Sequence, residues 1–185
     1  MESDQHYQYT ALPPGGRATL QCSLYTSLIS EAPDHETISY VWGLPTRDQT
    51  ILCHDRVLMI TQSLTDVLNR LRLPSEPHFL WADSICINQE NNTEKGHQVG
   101  LMAKIYQQAK RTLIYLGGDS EGHAKAVFEM IEEANQRIEE NCEKVNGPWA
   151  VFPPLDPDDP IKTDTRWNSV AALYSSAWFS RGWVV

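Results

Sequence analysis

Polar side chains suited to chemistry are concentrated directly after a short apolar run near the middle of the chain. The run, Phe79 to Ala82, is long enough for a buried strand. The polar residues that follow it are Asp83, Ser84, Cys86, Asn88 and Gln89. In open α/β sheets, ligands bind outside the carboxyl ends of the strands. We therefore expect a ligand site here, with Asp83 as the candidate catalytic carboxylate and Cys86, Asn88 and Gln89 as candidate ligand-binding residues.

Further candidates flank this segment. Tyr40 and Trp42 leave the end of another predicted strand, where an aromatic ring can stack on a planar ligand, and Ser39 precedes them. Glu94 and Gln98 follow the core strand. Each candidate has a structural alternative. Aspartates often cap turns, aromatic residues often pack in the core, and glutamates at helix starts interact with the helix dipole.

Nucleophilic and metal chemistry are weaker possibilities. Cys86 and His97 allow a cysteine–histidine hydrolase interpretation, although a buried structural cysteine is more common. The six histidines show no metal-ligand spacing and the four cysteines form no CxxC pair, so we predict no metal site and no cofactor. Neither a Walker pattern nor GxGxxG is present, which disfavours the classical nucleotide-binding folds.

Hydrophobic periodicity predicts the elements that position these residues. The expected strands are Ala18 to Leu28, Thr37 to Gly43, Phe79 to Ile87 and Arg111 to Gly117, with a hairpin over Thr50 to Ile60. The expected helices are Thr61 to Leu73, a segment that starts at Asn91, Asn92 or Thr93, Glu121 to Lys144, and a last helix capped by Asp164 or Thr165. Strand, polar turn, helix and strand form a βαβ unit. The pattern predicts an α/β protein with a mostly parallel sheet flanked by helices and a small N-terminal strand and hairpin addition.

Length and charge limit the remaining choices. Residues 1–36 are expected to form a polar lead-in and a first strand, and residues 37–185 the main domain. The net charge is −9, from 15 basic and 24 acidic residues, which argues against general binding to nucleic acid or anionic membranes. No segment approaches the roughly 20 consecutive apolar residues of a membrane helix, and the N-terminus has no secretory signal. We expect a cytoplasmic location with free thiols.

Four blocks of the chain resemble the fungal heterokaryon-incompatibility, or HET, domain family. They are SYVWG from Ser39, LWADSICINQEN from Leu80, QVGLMAKIYQQAKRTLIYLG from Gln98 and WFSRGWVV from Trp178. Their order and spacing fit the family. The resemblance implies an effector module of fungal self/non-self recognition and regulated cell death that acts by self-association or by recruiting receptor-like fungal proteins.

The resemblance also implies a fold and a possible reaction. The family is regarded as distantly related to TIR domains, which implies a flavodoxin-like arrangement. Many TIR domains cleave NAD at the nicotinamide–ribose bond, so NAD is a possible substrate rather than a bound cofactor. The family usually continues after the WVV-like block with a glutamine–glutamate pair, whereas this chain stops at Val185. An enzymatic form is therefore expected to need a glutamate beyond Val185.

Overall fold

The computed structural model of the protein describes residues 6–15, 19–144, 156 and 158–181. The chain divides into two compact units, one up to Tyr115 and one from Leu116 onwards. The strands and the predicted ligand-site residues lie in the first unit.

A seven-stranded sheet forms the centre of the first unit. Its strands are β1 (His6–Leu12), β2 (Gln21–Leu28), β3 (Glu36–Tyr40), β4 (Gln49–Cys53), β5 (Arg56–Ile60), β6 (His78–Trp81) and β7 (Arg111–Tyr115). They lie in the order β5-β4-β2-β1-β6-β3-β7. β3 runs parallel to β6 and β7, and β2 runs parallel to β4, while the pairs β1–β2, β1–β6 and β4–β5 are antiparallel. The predicted α/β class, its parallel βαβ part and its hairpin addition are confirmed.

The two longer helices of the first unit begin at side-chain caps. The helices are α1 (Gln62–Leu71), the short α2 (Asp83–Cys86), which has no side-chain cap, and α3 (Asn92–Gln108). The Thr61 hydroxyl accepts the backbone N–H of Leu64 at 3.3 Å at the start of α1. The Asn91 side chain does the same for the first turn of α3. Both helices bury their apolar sides in the core of the sheet, as amphipathic helices do.

Strand β1 corrects the expectation that the chain starts with a polar lead-in before its first strand. β1 lies between β2 and β6, inside the sheet, and its Tyr7 and Leu12 are buried. Gln8 and Thr10 made the segment look polar. Thr10 is nevertheless buried, because its hydroxyl hydrogen-bonds to the Cys86 sulfur at 3.3 Å. A hydrogen-bonded threonine therefore occupies a core position in a segment that was expected to be polar and outside the core.

The core strand is shorter than predicted. β6 ends at Trp81, and the chain turns directly into α2, where the backbone N–H of Cys86 donates to the Ala82 carbonyl at 2.8 Å. Ile85, Cys86 and Ile87 are buried, as they would be in a strand. A short apolar run does not distinguish a buried strand from a buried helix, and this ambiguity accounts for the error.

The second unit contains α4 (His123–Lys144) and α5 (Trp167–Tyr174), which pack on each other. Val127 and Met130 of α4 are buried. The predicted caps of the last helix are wrong, because α5 begins at Trp167. The Asp164 carboxylate accepts the backbone N–H of Arg166 at 2.8 Å, before the helix starts. The proline-rich segment Gly147 to Pro160 falls mostly outside the described residues.

Candidate functional site

The carboxyl ends of the adjacent parallel strands β3 and β6 bring together predicted site residues. The Trp42 indole N–H donates to Asp83 Oδ1 at 2.9 Å, and the Tyr40 hydroxyl hydrogen-bonds to the Ser84 hydroxyl. The Gln89 amide donates to the Asp83 backbone carbonyl at 2.8 Å. We refer to Tyr40, Trp42, Asp83, Ser84 and Gln89 as the strand-end cluster. It occupies the edge at which open α/β sheets bind ligands.

The turn after β3 positions Trp42. Gly43 has a φ of 71°, in the left-handed region that side chains other than glycine rarely adopt. The Ser63 hydroxyl, at the start of α1, donates to the Val41 carbonyl at 2.5 Å. This bond and the reversal at Gly43 fix the turn against α1. Trp42 is therefore held where its indole reaches Asp83.

The strand-end cluster has a buried base and an exposed rim. Tyr40 is buried, whereas Asp83 and Ser84 are partly buried. Trp42 is 39% exposed, and Leu44, in the loop that follows, is 80% exposed. The rim therefore combines a carboxylate with large apolar side chains in contact with solvent. Such a combination can accept hydrogen bonds and bury apolar surface when a ligand or a protein binds.

A tyrosine extends the same edge of the sheet. Tyr115 ends β7 and is the register partner of Tyr40 on β3. Burial raises the pKa of the Tyr115 hydroxyl, the Asp66 carboxylate raises it further and the Arg70 guanidinium lowers it. Two charged side chains of α1 therefore act on this edge. Tyr115 was not among the residues predicted from the sequence, although the strand-end rule that selects Asp83 also applies to the end of β7.

Cys86 lies in the core rather than at the rim. Its side chain is 0% exposed and its sulfur hydrogen-bonds to Thr10. Burial raises the pKa of Cys86 to about 11, against the opposing effects of the Thr10 hydroxyl and the Ala82 backbone. The group is therefore a thiol at neutral pH, and His97 is exposed to solvent. This placement disfavours both the predicted ligand contact at Cys86 and the cysteine hydrolase interpretation.

Gln98 joins α3 to the sheet. Its amide N–H donates to the His6 carbonyl of β1 at 2.9 Å, and the residue is buried. Its Oε1 atom is buried with no hydrogen-bond partner among the described residues. Since β1 is antiparallel to β6, the amino end of β1 lies at the same edge as the strand-end cluster. The structure therefore gives Gln98 an anchoring position.

The other predicted ligand-binding residues contribute to turns, to a helix start or to a strand. The exposed Asn88 accepts the backbone N–H of Glu90 at 3.1 Å, which is a turn-forming contact. Glu94 lies in the first turn of α3, where its charge is favourable to the helix dipole. Ser39 is half-buried within β3. The contacts of Asn88 and Glu94 are thus local ones, within a turn and within the first turn of a helix.

A charged cluster at the opposite edge, in which Glu36 and His78 are buried and Arg111 is exposed, was not predicted. Glu36, His78 and Arg111 are the first residues of β3, β6 and β7. Glu36 accepts from His78 Nε2 at 3.0 Å and from Arg111 Nε at 2.7 Å. His78 Nδ1 lies 2.7 Å from the Leu71 carbonyl oxygen. These contacts link the amino ends of the three parallel strands, so the cluster is structural.

An open cleft of about 340 Å³ lies elsewhere on the first unit. Its walls come from β1, β2, the β4–β5 hairpin and the start of β6, and include Ala11, Ser23, Tyr25, His54 and Phe79. It shares no lining residue with the strand-end cluster. In the parts of the chain that are described, no three His, Cys, Asp or Glu side chains are grouped to hold a metal ion. No helix in those parts is long and apolar enough to cross a bilayer.

Comparison with known proteins identifies the family. The family model described as Heterokaryon incompatibility protein (HET) matches residues 35–185. Heterokaryon incompatibility protein 6, OR allele, of Neurospora crassa is 32% identical over 195 residues, which cover 90% of this chain and 29% of that protein. No solved structure matches. The matched region contains both β3 and β6 and hence the whole strand-end cluster, and the chain belongs to the heterokaryon incompatibility (HET) family.

Proposed function

We propose that this chain is an effector module of fungal heterokaryon incompatibility, whose output is regulated cell death and which acts by binding a second copy of itself or a partner protein. Family membership and the name of the Neurospora crassa relative support the incompatibility role. Because the chain spans 29% of that relative, further parts of a longer protein could supply recognition or control.

The exposed rim of the strand-end cluster carries the binding part of the proposal. Trp42 presents a large apolar surface to solvent beside the Asp83 carboxylate, and Leu44, two residues further along the loop, is also exposed. Tryptophan is enriched among residues that dominate binding energy at protein interfaces. Trp42 is also pre-oriented by its bond to Asp83, so less conformational freedom is lost on binding. In the rim, Trp42 is therefore the apolar anchor, Asp83 is its polar partner, and the turn at Gly43 holds Trp42 in place.

Light scattering across a range of protein concentrations tests association directly. We expect the average mass to rise with concentration, and Leu44→Asp to reduce the rise because it places a charge in the contact. Val57→Asp is the matched control, since Val57 is 67% exposed on β5, outside the rim. The binding proposal fails if the protein stays monomeric at all concentrations and also forms no complex when it is mixed with another HET-family protein.

Expression in a filamentous fungus tests the biological output. We expect the wild-type chain to kill hyphal cells, which is measured as uptake of a vital dye. The Leu44→Asp chain, at equal protein level, should not kill them. The Val57→Asp chain should still kill them. Equal cell death with the wild type, Leu44→Asp and Val57→Asp would contradict a role of the rim in cell death.

NAD cleavage is the second candidate, and one observation favours it. Asp83 lies beside the Trp42 indole at the carboxyl ends of β3 and β6. Cleavage of the nicotinamide–ribose bond develops positive charge at the anomeric carbon, which a carboxylate can stabilise. An aromatic ring next to that carboxylate can stack on the nicotinamide or the adenine. NAD would be the substrate, and a glutamate beyond Val185 would complete the site.

Chromatographic detection of released nicotinamide tests this reaction. We would assay the chain and a version extended past Val185, each with Asp83→Ala. Asp55→Ala is the matched control, because Asp55 is an exposed aspartate in the turn between β4 and β5. Cleavage that requires the extension and is lost only in Asp83→Ala supports the enzyme. Intact NAD after long incubation with every version would contradict the proposed NAD-cleaving function.

A further inference from the structure

Two cysteines face each other on adjacent strands at the junction between β2 and β4. Cys22 and Cys53 are register partners in this parallel pair, and the backbone N–H of His54 donates to the Cys22 carbonyl at 3.1 Å. Adjacent strands are about 4.8 Å apart. A disulfide needs two Cα atoms about 4.4–6.8 Å apart. Because register partners point to the same face of a sheet, the two thiols have both the spacing and the direction that a disulfide requires.

The two thiols also differ in access. Their side chains are in hydrogen-bond contact, and both are free thiols. Cys22 is 3% exposed, whereas Cys53 is only partly buried. Burial raises the pKa of Cys22, and the neighbouring Cys53 raises it further. Cys53 is therefore the more exposed of the two thiols, and Cys22 is a protonated, largely buried thiol that lines the open cleft described above.

This junction is the strand pairing that joins the hairpin to the rest of the sheet. β4 pairs with β2 through two register pairs, Gln21↔Leu52 and Cys22↔Cys53. β4 is in turn the strand that attaches β5, and the β4–β5 hairpin forms one end of the sheet. A covalent link at Cys22 and Cys53 would therefore fix an element that is otherwise held by few strand contacts.

We propose that Cys22 and Cys53 form a redox modification site that a hydroperoxide converts to a reversible disulfide. The Cys53 sulfur attacks hydrogen peroxide, which breaks the O–O bond, gives a sulfenic acid on Cys53 and releases water. The Cys22 sulfur then attacks the Cys53 sulfur, the S–O bond breaks, and the leaving hydroxide takes the Cys22 proton as water. Two thiols and one peroxide give one disulfide and two waters, and an external dithiol reverses the change.

The third thiol in the first unit provides an internal control. Cys86 is also buried, but its sulfur is bonded to Thr10 and it is not a register partner of either cysteine. The proposal therefore predicts a specific pair rather than general oxidation of buried thiols.

Peptide mapping after peroxide treatment tests the pair. Trypsin places Cys22 in residues 18–47, Cys53 in residues 48–56 and Cys86 in residues 73–95. After treatment of the folded protein, alkylation and digestion, we expect a cross-linked species of 18–47 with 48–56, lighter by two hydrogens than the sum of both. Dithiothreitol should abolish it, and the melting temperature of the oxidised protein should rise by several degrees.

Variants separate this pair from other outcomes. Cys53→Ser and Cys22→Ala should each abolish the cross-link, whereas Cys86→Ala should leave its yield within twofold. Circular dichroism confirms that each variant is folded, and the wild-type map stands without them. Separate, fully alkylatable 18–47 and 48–56 peptides after peroxide would overturn the proposal. Oxidation of Cys53 to a sulfinic acid without the link, or a link to Cys86, would do so as well.

Discussion

The bond between Trp42 and Asp83 should be measurable as a coupling energy. Trp42→Phe removes the indole N–H and keeps an aromatic ring, and Asp83→Ala removes the acceptor. A hydrogen bond to a charged group contributes about 1.5–3 kcal/mol, against about 0.5–1.5 kcal/mol for a typical one. Because Trp42 is 39% exposed, solvent competes for both partners. We therefore expect a coupling energy in the range of a typical hydrogen bond, about 0.5–1.5 kcal/mol, and not in the higher range of a bond to a charged group.

Urea unfolding of the wild type, both single variants and the double variant gives this coupling energy. The double variant should lose less stability than the sum of the single losses, because each substitution already breaks the bond. Tyr25→Phe combined with Asp83→Ala is the matched control, since Tyr25 lies on β2 and packs on Tyr9. It should be additive. A Trp42–Asp83 coupling below about 0.3 kcal/mol would refute the claim that this bond organises the rim.

Three further predictions concern the turn, the second unit and the core thiol. Gly43→Ala should cost about 1–2 kcal/mol in urea unfolding because of its positive φ, whereas Gly96→Ala, in a helix with open space around it, should stabilise. The Arg166 guanidinium lowers the pKa of Glu133. The Arg166–Glu133 interaction therefore stabilises the fold above the ordinary pKa of a glutamate carboxyl. This stabilisation is lost as the pH falls through the lowered pKa of Glu133. Arg166→Gln should therefore flatten the acid dependence of helix content, and an unchanged profile would contradict this. At pH 8, Cys86 should resist iodoacetamide until urea unfolds the protein, and rapid labelling of the native state would contradict its burial.

Much of the parallel part of the fold could be predicted because its signals are local. Thr61 and Asn91 cap their helices through bonds to residues two or three positions away. The rule that ligands bind at strand ends was enough to select both Trp42 and Asp83. Their contact follows from the parallel pairing of β3 with β6.

The errors occur where distant partners determine the outcome. Thr10 looks polar in sequence, and its burial depends on Cys86, which is 76 residues away. The boundary between β6 and α2 is a local exception: Ala82 accepts hydrogen bonds from the nearby Ile85 and Cys86, and the apolar pattern that continues through Ile87 conceals the boundary. Tyr115 joins the site edge only through its register with Tyr40. No window of neighbouring residues contains this information.

The central position of β1 has a consequence for how the chain folds. Thr10 pairs with Leu80, so the first strand must wait until β6 has formed before the sheet can close. Until then, β1 and β2 can pair with each other, and β2 with β4, but neither is paired with β6, β3 or β7. Contacts between distant residues slow folding, and unpaired strands are prone to aggregate in the meantime. Extra residues inserted directly before His6 would interfere with the pairing of β1 with β6, which closes the sheet. The yield of folded protein should therefore fall more for insertions at this position than for insertions in internal loops.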